Sequence, residues 1–309
     1  MQRLTLDGGI PDDLKGSIVA LGNFDGFHLG HQAVVGRAVQ RAFHERRPAI
    51  VATFDPHPVT YFKPDVPPFR LTSLDQREQL FAHAGADAML IFEFNEKLRE
   101  TSAEEFVSWL LAGKIGAAGV VTGDDFSFGK GRSGDPALLK EVGERHGVAA
   151  EAVPQVLLDG ERISSGRIRE AMIAGDIGIA TRMLTRDYAI EGVVQRGDQR
   201  GRELGYPTAN IAMGDYQRPK YGIYAVRVTL DDGSEHPGVA SLGVRPMFDP
   251  PQELLEAYLF GFDGDLYGRR IEIALHAYIR EERKFDGPEP LAAQMREDEA
   301  TARKLLALA

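Results

Sequence analysis

Two histidines, His28-Leu29-Gly30-His31, stand where a phosphate could be held. They follow Ile18-Val19-Ala20-Leu21, an apolar run that predicts a buried strand, and then Gly22-Asn23-Phe24-Asp25-Gly26-Phe27. From His31 to Phe43 the apolar residues fall at helical spacing, with Val34, Ala38 and Phe43 near one stripe. The stretch therefore reads strand, glycine loop, helix. Such a junction aims the N–H groups of the first helical turn at whatever lies above the loop, and it favours an anion. Gly26 and Gly30 let the backbone approach a ligand closely. Both imidazoles can donate hydrogen bonds to phosphate oxygens. A single histidine here would read as a surface residue. His-x-Gly-His directly after this loop reads as a phosphate site.

Other candidates follow in chain order. Thr53-Phe54-Asp55-Pro56-His57-Pro58 ends a predicted strand, Pro48 to Phe54, in a stiff turn. His57 is there either a turn residue or a ligand contact, because ligands bind at that end of strands in open α/β sheets. Gly123 to Gly134 is a glycine-rich loop after a strand. It lacks the glycine spacing and the Ser/Thr of a P-loop. It is either a mobile surface loop or a lid whose Phe126 or Phe128 meets a flat aromatic ligand. In Ile163-Ser164-Ser165-Gly166-Arg167-Ile168-Arg169, serines at a helix start precede arginines. That is an ordinary cap or a second phosphate corner. Gly197-Asp198-Gln199-Arg200-Gly201-Arg202-Glu203-Leu204-Gly205 runs into Tyr206-Pro207-Thr208-Ala209-Asn210. On an extended segment Thr208 and Asn210 face one side, and neutral oxygens there suit Mg²⁺ and phosphate.

The positioning elements follow from the pattern. Capping boxes at Ser73-Leu74-Asp75-Gln76 and Ser102-Ala103-Glu104-Glu105 predict helices to about His83 and to Gly113. Strands are expected over Asp87–Phe94, Ala117–Thr122 and Val148–Val153, with a helix from Asp135-Pro136 to Gly147. Strands alternating with helices predict a parallel, Rossmann-like sheet covered on both faces. After a helix over Asp176–Leu184 and a crossover at 185–188 the pattern changes. Strands are expected over Ala189–Gln195, Tyr221–Leu230, Glu235–Leu242, Leu254–Phe262 and Arg269–Arg280, with a hairpin turn at Asp231-Asp232-Gly233-Ser234 and a helix from Pro290. This predicts a small antiparallel β-barrel with a terminal helix. The domains expected are 1–184 and 185–309.

The chain has 309 residues, enough for two cores, and no cysteine, which excludes disulfides, thiol catalysis and zinc–thiolate sites. A net charge of −10 argues against nucleic acid as a partner, though not against small phosphates. No apolar run approaches a membrane span, and the first residues lack the apolar core of a secretion signal. A cytoplasmic address is the expectation; an oligomer is compatible with it.

The motifs of the first half, in their order, resemble the prokaryotic bifunctional riboflavin kinase/FMN adenylyltransferases, or FAD synthetases. The stretches 197–210, 238–248, 254–258 and Asp263-Gly264-Asp265-Leu266-Tyr267-Gly268 are similar to the riboflavin kinase module of that family. The resemblance implies phosphorylation of riboflavin by ATP, then adenylylation of FMN to FAD with release of pyrophosphate, with Mg²⁺ as cofactor. It implies that His28 and His31 bind the triphosphate and stabilise charge at the α-phosphate. Gly22, Phe24, Asp25 and Gly30 would contact ATP; Ser164, Ser165 and Arg169 would hold pyrophosphate. His57, Asp125, Phe126 and Phe128 would line the flavin. In the kinase, Gly197, Gly201, Gly205, Pro207, Thr208 and Asn210 would bind ATP and flavin, Thr208 and Asn210 the metal. Glu256 would be the base for the riboflavin 5′-hydroxyl. Gly166, Ser241, Met247 and Tyr258 stand where the family usually has Thr, Asn, Thr and His. Ser241 and Met247 motivate an alternative, an FMN adenylyltransferase whose kinase-like domain only binds flavin.

Overall fold

The computed structural model describes residues 1–196, 206–245 and 252–308. Two compact units divide the chain: residues 1–67 with 72–165, and 68–71 with 166–309.

The first unit is built on six parallel strands: β1 (Gln2–Thr5), β2 (Ile18–Leu21), β3 (Ala49–Asp55), β4 (Ala88–Glu93), β5 (Gly119–Gly123) and β6 (Ala149–Val153). Their spatial order is β1-β4-β3-β2-β5-β6, and every pair is parallel. Strand β2 is apolar throughout because both its faces are covered: Ile18, Val19, Ala20 and Leu21 are at most 1% exposed. Val19, Leu21 and Ile50 face one apolar layer; Ile18, Ala20 and Val51 face the other. Burying each such side chain contributes roughly 1.5–3 kcal/mol. Strand order reverses between β2 and β5, so the crevice for a ligand lies beyond the C-terminal ends of these strands. The loops starting at Gly22, Asp55 and Gly123 all emerge there.

The helices of this unit are α1 (Leu29–Glu45), α2 (Pro58–Phe62), α3 (Leu74–His83), α4 (Glu96–Glu100), α5 (Ala103–Glu105) and α6 (Pro136–Arg145). Both capping boxes form; in α3 the Gln76 amide N–H donates to Ser73 Oγ at 3.0 Å and the Ser73 N–H to Gln76 Oε1 at 3.0 Å. Helix α5 continues as a π-helical stretch, Phe106–Ile115, which ends at Gly116 in the left-handed region rather than at Gly113. Phe43 corrects the expected stripe. Helix α1 buries Val34, Val35, Ala38 and Ala42, and Phe43, one position off that row, is 80% exposed. Strand β1 has no apolar run to announce it, and only Leu4 of its four residues is partly buried.

The second unit contains α7 (Ser165–Ala174), α8 (Ile177–Leu184) and an antiparallel sheet ordered β10-β13-β12-β11-β14-β9. Its strands are β9 (Tyr188–Val193), β10 (Ala209–Ala212), β11 (Gly222–Leu230), β12 (Glu235–Arg245), β13 (Gln252–Leu259) and β14 (Arg270–Arg280). A bridge between Gln195 and Asn210, with the Gln195 N–H on Asn210 O at 2.8 Å, brings the two edges together and nearly closes a barrel. Gly192 makes that seam possible: a Cβ there would lie 3.0 Å from Ile211 Cβ. Inward residues such as Ile190, Ile211, Tyr224, Val226, Leu255 and Ile273 fill the interior and are fully buried. The turn after β11 forms as expected, with Gly233 at φ 83°. Helix α9 (Pro288–Leu305) lays Ala302, with Leu306 just beyond it, on the outward residues Ala225, Val239, Tyr258 and Ala277.

Candidate active sites

The loop after β2 is strained and deeply anchored. Phe24 and Phe27 have φ of 49° and 41°, a region non-glycine residues seldom occupy. Their rings are 1% and 4% exposed and meet Phe81 of α3 edge-on at 5.8 and 5.2 Å. Burial of two aromatic rings outweighs the roughly 1–3 kcal/mol per strained residue. Phe24 thus lies under the loop, so its side chain supports the site and only its backbone faces outward. The buried Asp25 carboxylate accepts from Thr72 N–H at 3.0 Å and Thr72 Oγ1 at 3.2 Å, and the Gly26 N–H donates to Thr72 Oγ1 at 2.9 Å. Arg77 of α3, 2% exposed, donates to Thr53 Oγ1 at 3.0 Å and Asn23 O at 3.3 Å. Neither Thr72 nor Arg77 carries a motif that would single it out in the sequence.

This frame presents the two histidines. His28 is 5% exposed and caps α1: its Nδ1 accepts the His31 N–H at 3.3 Å, so its own proton sits on Nε2. The rings stack at 3.6 Å between centroids, 16° from parallel. Burial pushes the His28 imidazole down to about 4, against the pull of the Asp25 carboxylate. Two imidazolium charges at that separation would repel by about 5 kcal/mol at an effective dielectric constant near 20. A neutral Nε2–H donor over the helix N-terminus is the stable arrangement. A Cβ on Gly30 would come within 3.1 Å of the His28 ring, so glycine leaves room for it.

The second corner begins at Ser165, the last residue of the first unit, whose Oγ donates to Asp25 O at 2.9 Å. Ser164 is half-buried beside it. Arg169 belongs to the second unit, where its Nε donates to Phe69 O at 2.7 Å and its guanidinium lies 5.0 Å over the Phe69 ring. Among the flavin candidates, Phe128 is 5% exposed and packs on Phe106; a ligand would meet Phe126, which stacks on it at 5.8 Å and is only partly buried. Phe128 and Gly134 exchange backbone hydrogen bonds of 3.1 and 2.9 Å, which close this part of the loop on itself. Asp125 pairs with Arg162 at the surface. His57 caps α2, accepting from Val59 N–H at 3.2 Å. Beside it Tyr61 and Phe62, the latter 59% exposed, meet Phe94 edge-on at 5.3 and 5.7 Å. This exposed aromatic group at the ligand edge escaped the motif reading because aromatic residues at helix–strand spacing ordinarily signal core.

In the second unit a cavity of about 210 Å³ is lined by Pro207, Thr208 and Asn210, by Asp263, Gly264 and Tyr267, and by neighbouring residues. Two of the stretches singled out in the second half of the sequence, the end of 197–210 and 263–268, thus line one space. Asn210 on β10 pairs in register with Glu256 on β13, which pairs with Ser241 on β12. Directly opposite residues share a face. An amide, a carboxylate and a hydroxyl therefore form a row on the outward face, beside the patch that α9 covers. Tyr258 meets Tyr206 edge-on at 4.8 Å. Gly197, Gly201, Gly205 and Met247 lie outside the described residues.

Comparison with known proteins places the chain in a family. Residues 10–167 match the FAD synthetase family model, and residues 184–306 the riboflavin kinase model. A bifunctional riboflavin kinase/FMN adenylyltransferase of Pseudomonas fluorescens is 40% identical over 294 residues, 95% of this chain and 94% of that one. The Escherichia coli K12 protein of the same description is 35% identical over the same shares. A solved structure described as a macrolide-efflux protein from Streptococcus pneumoniae superposes with a TM-score of 0.88 at 28% identity, covering 98% of this chain and 99% of that one. The chain belongs to the bifunctional riboflavin kinase/FMN adenylyltransferase family, and it uses ATP first to make FMN from riboflavin and then to make FAD from FMN.

Proposed function

We propose that the division of labour follows the two halves, with FMN adenylylation in 1–184 and riboflavin phosphorylation in 185–309. The observation that carries this reading is that each half has its own phosphate-handling constellation: the His28–His31 stack in one, Thr208, Asn210 and Glu256 in the other. In the first, FMN phosphate attacks the α-phosphorus of ATP, and no covalent intermediate on the protein is required. His28 Nε2–H and His31 hydrogen-bond the α-phosphate oxygens as charge builds there. Gly22, Asp25 and Gly30 shape the loop for the nucleotide, Ser164 and Ser165 take the outgoing pyrophosphate with Arg169, and Phe126, Phe62 and His57 bound the flavin.

In the second constellation ATP occupies the cavity beside Pro207 and Thr208, and Glu256 takes the proton from the riboflavin 5′-hydroxyl as it attacks the γ-phosphorus. Among the described residues no group of three or more His, Cys, Asp or Glu side chains is placed to hold a metal. The hydroxyl of Thr208 and the amide oxygen of Asn210, whose Nδ2 is turned to Thr208 O at 3.5 Å, fit Mg²⁺ held largely by nucleotide phosphates. When bound, the ion neutralises phosphate charge. Consumption of ATP at two centres suits a cytoplasmic address. A chromatographic time course with riboflavin, ATP and Mg²⁺ tests the assignment. His31→Ala should stop at FMN; Glu256→Ala should leave riboflavin untouched yet convert added FMN to FAD. Loss of both activities in either folded variant would refute it.

A further inference from the structure

The row Asn210–Glu256–Ser241 continues beyond its last strand. Ser241 Oγ donates to Glu282 Oε1 at 3.1 Å. The Glu282 carboxylate lies flat on the sheet over Gly243, two residues along the same face of β12; a Cβ on Gly243 would meet its oxygens and carbon at 2.3–2.5 Å. Only glycine admits a carboxylate in that place. Glu282 follows Arg280, the last residue of β14, whose guanidinium is fixed by the buried Asp298 carboxylate of α9 at 2.8 and 2.6 Å. The segment carrying Glu282 is thus tethered where it leaves the sheet.

We propose that Glu282, steadied by Ser241, is a specificity residue of the kinase that binds a ribityl hydroxyl inboard of the reacting 5′-hydroxyl. This rests on the assignment of Glu256 as the base at that hydroxyl. Opposite residues on neighbouring strands stand about 5 Å apart. An extended polyol needs about three to four carbon–carbon bonds to span that step, so a ribityl chain whose 5′-hydroxyl sits at Glu256 carries its innermost hydroxyl, on C2′, toward Ser241 and Glu282. A carboxylate accepts from such a hydroxyl strongly and accepts nothing from an alkyl chain. The site would then choose a polyhydroxylated flavin over one with a plain side chain, by contacts remote from the phosphoryl group. Ser241 is the short hydroxyl that leaves space for Glu282, so its departure from the usual Asn has a structural counterpart.

The test is steady-state kinase kinetics of the full chain. Glu282→Gln and Gly243→Ala should each raise the riboflavin KM about tenfold, with kcat within about twofold and the KM for ATP unchanged. The alanine methyl acts by displacing a flexible carboxylate, so that variant should fold. The KM of a flavin carrying only a hydroxyethyl chain should stay put in both. A fall in kcat at constant KM, an equal change for the hydroxyethyl flavin, or no change at all would overturn the proposal. Failure of the Glu256 assignment is separate: Glu256→Gln would then keep kcat for both flavins.

Discussion

At the scale of the residue, His28 shows how burial selects a protonation state. An accepting Nδ1 and a depressed pKa give the same answer, a neutral ring with its proton on Nε2. The unfolded chain holds that proton at a pH where the native one does not. Between about 6.5 and about 4 the unfolded state therefore binds more protons, and stability falls as pH falls through this window. The full effect is on the order of 3 kcal/mol. Thermal denaturation at pH 4 and pH 7 should show it: in His28→Gln the acid-induced drop in Tm should be smaller than in the wild type. The histidine spacing was visible in the sequence; its tautomer was not, since that depends on a backbone N–H three residues ahead. Phe24 and Phe128 likewise sit inside motifs while their rings serve the core. A motif marks a stretch without saying which of its side chains point outward.

At the scale of the element, the glycines decide how closely parts approach. Gly30→Ala should tilt the His28 ring and lower the rate of FAD formation roughly tenfold, with unchanged circular dichroism and unchanged FMN formation. Gly192→Val should force β9 from β10 at the barrel seam, costing about 1–3 kcal/mol and lowering the kinase unfolding midpoint in urea. The order of strands and helices was legible because local signals agreed: capping boxes at Ser73 and Ser102, a proline at Pro136, period-two alternation in β11. Strand β1 was not legible, since its register is set by β4, eighty-odd residues away. The row from Asn210 to Glu282 was hidden for the same reason: four separate segments meet through hydrogen-bonded pairing that no local pattern encodes.

At the scale of the whole molecule, the proposed division of labour gives each core one transfer of a phosphorus-centred group, and the product of one is the substrate of the other. FMN is a released, diffusible compound in this scheme. An equimolar mixture of His31→Ala and Glu256→Ala proteins should therefore convert riboflavin to FAD, with a visible FMN phase, although neither does so alone. Absence of FAD in the mixture would mean that FMN must pass within one chain.

The anchoring of the loop by Phe81 has a consequence for how this protein would respond to random mutation. Phe81 contacts no substrate in the scheme above, yet both strained phenylalanines of the loop rest on its ring. Phe81 is also fully buried in the core, so Phe81→Ala should cost about 3–5 kcal/mol as well as FAD formation, whereas Phe81→Leu keeps most of the core volume and takes away the flat floor. A genetic screen would score such a position as enzymatic, although it touches the reaction only through the loop that stands on it.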